Sequence, residues 1–152
     1  MEKLSLQENQ KIAVGILDAV SKVCDEQGYR YYLVFGTLIG AVRHKGFIPW
    51  DDDIDIMMPR SDYERLLELV PSLRHSYYKI LSNPKNEDYY YTHAKMIDTR
   101  TLCVENDLQT IQNMGIWVDI FPLDGMPDKF KIHYFKMRVL HRMRALSAHP
   151  KM

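Results

Sequence analysis

The stretch "GFIPWDDDIDIMMPR" (residues 46–60) sets Asp51, Asp52, Asp53 and Asp55 within five positions at the edge of an apolar run. The alternation in "DIDIMM" (53–58) has a period of two, so the segment reads as a strand closed by Pro59. On such a strand Asp53 and Asp55 project to one face, with backbones about 6.7 Å apart. Ile54 and Ile56 project to the other, toward a core. Two carboxylates whose charged ends came within about 4 Å would repel by about 4 kcal/mol at an effective dielectric of about 20. A shared divalent cation reverses that sign. Carboxylate and phosphate oxygens together form the usual ligand set of Mg²⁺.

A third carboxylate stands downstream. In "GIWVDIFPLDG" (115–125) Asp119 interrupts an otherwise apolar strand, where an unpaired charge is expensive. If that strand neighbours 53–58, Asp119 can face the same ion. Asp51 and Asp52 precede the strand as further ligands' support or as solvated surface. The bland alternative is an exposed acidic turn; it fits "DDD" alone but explains neither the alternation nor Asp119. A calcium loop fails, because Ile56 occupies the position of the obligatory turn glycine and Asp62 that of the bidentate glutamate.

On the other side of the acidic stretch, "YRYYLVF" (29–35) reads as a strand and Gly36-Thr37 as its break. "TLIGAVRHK" then reads as a short helix ending at Gly46. A strand–glycine–hydroxyl–helix junction presents free N–H groups that suit a phosphate, although a Gly-Thr turn is also ordinary turn chemistry. Arg43, His44 and Lys45 add cationic donors ahead of the strand. Their alternative is an exposed helix end favoured by the helix dipole.

Farther out, "SLQE" (5–8) has capping-box spacing. Ile12, Ala13, Ile16, Leu17, Val20, Val23 and Cys24 then form an apolar stripe at helical period, stopped by Gly28. "SDYE" (61–64) predicts a second capping box, opening a helix that ends at Pro71. Strands are expected at 78–82, 89–97, 101–105 and 115–121, and a last helix after Pro127. The order α-β-α-β-α followed by strands predicts an α/β (α+β) domain built on a mixed sheet flanked by helices.

The bulk numbers permit one domain over residues 1–152. Twenty basic side chains balance twenty acidic ones, so nothing in the total charge calls for nucleic acid. Two cysteines are too few for a disulfide framework, and Cys24 reads as a buried thiol. The N-terminus is polar and acidic, unlike a signal, which points to a cytoplasmic chain. From Met126 onward seven Lys/Arg face one acid, Asp128, on a basic amphipathic segment. It reads as a helix packed on the domain or, alternatively, as a peripheral contact with anionic lipid.

Glycine turn, cations and carboxylates together describe a metal-assisted phosphoryl or nucleotidyl transfer site. "FGTLIGAVRHKGFIPWDDDIDIMMPRSDYERL" resembles the signature of the LicD family, and "WVDIFPLDG" resembles its downstream segment. The likeness spans roughly residues 28–125. It extends to the fukutin-type phosphosugar transferases and, through Gly36-Thr37, Asp53-Ile54-Asp55 and Asp119, to the nucleotidyltransferase superfamily. The resemblance implies a nucleotidyltransferase-like fold, with Asp53 and Asp55 as ligands of Mg²⁺ or Mn²⁺. Asp119 would be a third ligand or the base for an acceptor hydroxyl. It further implies transfer of phosphorylcholine from CDP-choline to a surface glycan of teichoic acid or lipopolysaccharide type, with a lipid-linked and a free acceptor both left open. Relatives continue beyond residue 152, so the C-terminal part of the family is expected to be missing. Two alternatives stay open: nucleotidyl transfer to a small molecule, and binding of nucleotide or metal without turnover. Choline, a quaternary ammonium, would suit the aromatic faces of Trp50, Trp117 or Tyr89–Tyr91, which otherwise simply pack. Lys95, on the expected strand 89–97, is either a contact for a nucleotide phosphate or an exposed structural lysine.

Overall fold

Ser5 opens the first helix, α1 (Leu6–Gln27), with both halves of the capping box formed against Glu8; Gly28, at φ 69°, ends it in the left-handed region that glycine enters without strain. The computed structural model describes residues 3–69, 77–83, 89, 91–103, 114–125, 134–138 and 140. After α1 come β1 (Tyr32–Leu33), α2 (Phe35–Arg43), β2 (Asp55–Pro59), α3 (Arg60–Leu69), β3 (Tyr78–Leu81), β4 (Ala94–Asp98) and β5 (Ile116–Leu123).

The five strands form one mixed sheet in the order β1-β2-β5-β4-β3. Among the described strands only β2 and β5 run parallel, and they set Asp55 opposite Asp119 and Ile56 opposite Ile120. On its other side β5 pairs antiparallel with β4, setting Lys95 opposite Asp119 and Met96 opposite Val118. Because side chains alternate along a strand, this register sorts the sheet into two faces. One face carries Ile56, Met58, Val118, Ile120, Ala94 and Met96, all fully buried. Against it pack Ala13, Ile16, Val20 and Cys24 of α1 and Tyr63, Leu66 and Leu67 of α3. The α1 stripe is therefore the core stripe, and burial pushes the Cys24 thiol up to about 11. The opposite face carries Asp55, Asp119, Trp117, Phe121 and Lys95.

Several boundaries differ from the sequence expectation. The strand expected at 29–35 is only Tyr32–Leu33, because Val34 already caps α2 and Phe35 turns the chain at φ 48°. Residues 101–103 are not extended into a strand, and 104–105 lie outside the described residues. β4 begins at Ala94 rather than 89. "SDYE" is no capping box: α3 starts at Arg60, directly after β2, and Ser61 lies inside it. Asp62 is drawn instead to Arg30, whose backbone N–H and Nε both donate to its carboxylate. In the C-terminal segment, residues 134–138 and 140 are helical and exposed; the rest of the helix expected after Pro127 lies outside the described residues.

Candidate active site

Asp53, Asp55 and Asp119 come together from two neighbouring segments, and each offers a carboxylate oxygen such that all three lie within 4.8 Å of one another. Asp51, Asp52 and Asp53 form a second such group, sharing Asp53 with the first. The parallel pairing creates the first cluster: the Asp119 backbone N–H donates to the Ile54 carbonyl at 2.8 Å, locking β5 beside the residues that carry both other aspartates.

The like charges leave a clear electrostatic signature. Burial, with the charges of Asp55 and Asp51, pushes the Asp53 carboxyl up to about 6. Burial, with the charges of Asp119 and Asp51, raises Asp55 too. Asp119 goes the other way. Burial by itself would raise it, but a hydrogen bond to His93 and the Lys95 cation hold it below the ordinary carboxylate range.

Asp119 is enclosed by donors. Lys95 Nζ and His93 Nε2 each lie 2.8 Å from Oδ1, and Trp117 Nε1 donates to Oδ2 at 2.8 Å. An ionised carboxylate only accepts, so His93 carries its proton on Nε2 in this arrangement. Lys95 is 4% exposed, which corrects the expectation of a surface lysine. Its ammonium stands 4.1 Å from the Trp117 ring centroid and 4.8 Å from that of Tyr91. These two aromatic faces thus already hold a cation, the protein's own. The structure places Tyr89 in the interior, while Tyr90 lies outside the described residues.

The Gly36-Thr37 turn meets the cluster directly. The Asp55 backbone N–H donates to Thr37 Oγ1 at 2.8 Å, tying the start of α2 to the start of β2. At Gly36 a Cβ would stand 2.7 Å from Asp51 Oδ2, so any side chain there would push that carboxylate away. The N-terminal end of α2, with its unpaired N–H groups and positive dipole end, therefore abuts the acidic side chains. Phe35 packs edge-on against Phe121, with ring centroids 5.4 Å apart, and Phe121 lies 4.3 Å from the His93 ring. Asn9 and Gln10 of α1 donate to the carbonyls of Asp52 and Asp51, pinning the acidic turn from the other side. A cavity of about 290 Å³ lies beside Asp53, lined by Asn9, Asp52, Cys103, Ile116 and Trp117.

Other sequence candidates lie apart. Arg43, His44 and Lys45 are exposed at the far end of α2, about 9 Å along the helix axis from Thr37. Lys45 Nζ donates to the Val42 carbonyl. Trp50, next to the acidic run, is 78% exposed. His93 was not foreseen; its "THAK" context holds nothing that distinguishes it from any histidine beside a strand.

A mixed sheet with carboxylates converging from adjacent parallel strands, behind a Gly-Thr helix start, is the arrangement of a nucleotidyltransferase-type domain. The sequence profile of the LicD/FKTN/FKRP nucleotidyltransferase domain matches residues 28–146, and the chain belongs to that family. It is 37% identical over 145 residues to the lipopolysaccharide cholinephosphotransferase LicD of Haemophilus influenzae, which covers 95% of this chain and 54% of that protein. It is 42% identical over 52 residues to the human ribitol 5-phosphate transferase FKRP, or 34% of this chain and 9% of that protein. An uncharacterised protein of Rickettsia prowazekii is 31% identical over 101 residues, 66% of this chain and 35% of the relative. The chain spans about half the length of the LicD protein and smaller shares of the others.

Proposed function

We propose that this chain is a cytoplasmic, metal-dependent transferase that moves phosphorylcholine from CDP-choline to a hydroxyl of a lipopolysaccharide- or teichoic acid-type glycan. The convergence of Asp53, Asp55 and Asp119 supports this reading most directly. Likeness to a lipopolysaccharide cholinephosphotransferase over 95% of the chain supports the choice of passenger and acceptor. Residues 1–152 are read as one nucleotidyltransferase-like unit, since every described strand belongs to a single sheet.

The residues fit a hard divalent cation. All the candidate ligands are carboxylate oxygens, and Asp53 and Asp55 are raised by burial together with the charge of neighbouring carboxylates, which a cation would relieve. Asp53, Asp55 and Asp119 would hold Mg²⁺ or Mn²⁺, which when bound neutralises the charge of the transferring phosphate. Gly36 and Thr37 bring backbone N–H groups of the α2 start toward that phosphate. In the in-line displacement a bond forms from the acceptor oxygen to phosphorus, the bond to the CMP oxygen breaks so that CMP leaves, and the acceptor hydroxyl's proton passes to the surrounding water. Asp119 serves as ligand rather than base, because Lys95 and His93 lower its proton affinity. Lys95 holds Asp119 in orientation while screening one of the three charges. Arg43, His44 and Lys45 lie too far along α2 to touch the carboxylates, and would act on a donor only at its periphery. Trp50, exposed beside the acidic run, is the aromatic left free to meet a choline head group.

The test is CMP release from CDP-choline with acceptor glycan, with and without Mg²⁺. Mg²⁺-dependent release supports the reading. Pyrophosphate release from a nucleoside triphosphate would instead mark a nucleotidyltransferase, and CDP-choline binding without turnover a binding domain.

A further inference from the structure

The donors around Asp119 decide how that carboxylate can meet a cation. An ionised carboxylate offers about four lone-pair sites, shared equally between its two oxygens. On Oδ1, Lys95 Nζ and His93 Nε2 occupy both, each at 2.8 Å. On Oδ2 the Trp117 Nε1–H donates at 2.8 Å, and among the described residues no further donor reaches this side chain. The open site is therefore on Oδ2, beside the indole.

Trp117 is built into this arrangement twice. It stands two residues before Asp119 on β5, so both side chains project from the charged face of the sheet. On β4, Ile97 lies opposite Trp117 and Lys95 opposite Asp119. The indole packs with Tyr89, Ile97 and Met114, a small apolar cluster separate from the main core. Its ring centroid is 4.1 Å from the Lys95 ammonium, close enough for a cation–π contact. One indole thus holds both members of the ion pair. Its edge donates to Oδ2, and its face carries the cation bound to Oδ1. Lys95, Trp117 and Asp119 close a cycle in which each side chain is fixed by the other two.

A tryptophan that only packs still needs an acceptor for its N–H, and a backbone carbonyl would serve. Trp117 instead spends that bond on one of the three carboxylates that converge at the candidate metal position. Groups that hydrogen-bond a ligating side chain fix its orientation, and their loss typically weakens metal binding by about 10- to 100-fold.

We propose that Trp117 is a positioning residue for the metal: with Oδ1 filled by Lys95 and His93, it aims Oδ2 at the cation, and Asp119 binds through that single oxygen. The inference rests on the reading of Asp119 as a ligand and adds to it the coordinating oxygen and the side chain that aims it. Because Oδ2 then serves ion and indole together, ion binding alters the hydrogen bond of the indole.

Trp50→Phe leaves Trp117 as the sole tryptophan of the chain. Titration of this variant with Mg²⁺ alone should change Trp117 emission in step with the binding isotherm from calorimetry. Mg²⁺ has no unpaired electrons that would quench an indole merely by lying near it. Trp117→Phe keeps an aromatic face for Lys95 and removes the N–H, and it should weaken Mg²⁺ binding about tenfold. Native Mg²⁺ affinity in folded Trp117→Phe, even with a lowered Tm, would show that the indole only packs and would overturn the proposal. Emission of Trp50→Phe that stays constant while calorimetry shows the ion bound would also overturn it, and this measurement decides if Trp117→Phe does not fold. No Mg²⁺ binding by the unsubstituted chain would instead bring down the metal reading, and the proposal with it.

Discussion

The two faces of the central sheet are made by the same strands yet obey opposite rules. On one, Ile56, Met58, Val118 and Ile120 meet α1 and α3 in a dry core whose stability comes from apolar area removed from water. On the other, residues one position away gather three carboxylates: burial and neighbouring charge strain Asp53 and Asp55, while Lys95 and His93 hold Asp119 ionised. Asp55 and Ile56 are neighbours in sequence and opposites in energetics. The core face tolerates the charged face because the alternation of a strand keeps the two apart.

Exchanging a single charge should break this contrast most sharply. Asp55→Asn or Asp53→Asn is expected to reduce Mg²⁺-dependent CMP release by about a thousandfold, in the range of losses seen when a single electrostatic stabiliser is removed. The same substitutions should leave the metal-free Tm unchanged or higher, because like charge is removed. A variant with near wild-type turnover would remove that residue from the site. On the core face the pattern inverts. Ile120→Ala should cost about 3 kcal/mol, or roughly 6–12 °C in Tm, through lost burial and a cavity. Metal affinity of the folded fraction, measured by calorimetry, should barely move.

Lys95 belongs to the charged face but is buried like a core residue, so it sharpens the comparison. Lys95→Met should cost about 3 kcal/mol in urea denaturation, since it strands the Asp119 charge. Adding Asp119→Asn should restore part of that loss; purely additive losses would show that the pair does not act as a unit. The smallest effect is in pH. Asp53, raised to about 6, binds its proton in the folded state before the unfolded chain does. Metal-free stability should therefore fall as pH rises through 6, by about 1 kcal/mol after solvent screening, and saturating Mg²⁺ should flatten the slope. Below about pH 4 the trend reverses, because Asp98, held low by Arg100, and Asp119, held low by His93 and Lys95, lose those partners once protonated. Thermal denaturation from about pH 2 to about pH 8, with and without Mg²⁺, reads both limbs.

Much of this was legible in the residues. "DIDI" announced two faces, the stripe from Ala13 to Cys24 announced the helix that covers one of them, and the stray charge in "WVDIF" announced the third carboxylate. What escaped depended on strand order. β5 inserts between β2 and β4, so the positions that oppose Asp119 on either side, Asp55 and Lys95, lie 64 and 24 residues away. Nothing local in "THAKMI" says that its lysine is buried or that its histidine will meet a carboxylate. "SDYE" misled for a different reason: α3 begins at Arg60, directly after β2, so Ser61 lies inside the helix and not at its cap. The short β1 escaped because Phe35 adopts a turn conformation that its aromatic, strand-favouring sequence opposes.

The one parallel pairing in the sheet also bears on how the molecule comes into being. β2 and β5 can zip together only after the intervening sixty or so residues have been made and looped out, a non-local closure of the kind that slows folding. On a ribosome, the segment bearing "DDDID" emerges and waits while β3 and β4 are synthesised, its carboxylates kept apart in water. The acidic centre is thus assembled only once β5 has been made, and a polypeptide halted before Leu123 would carry Asp53 and Asp55 without the complete strand that sets Asp119 beside them.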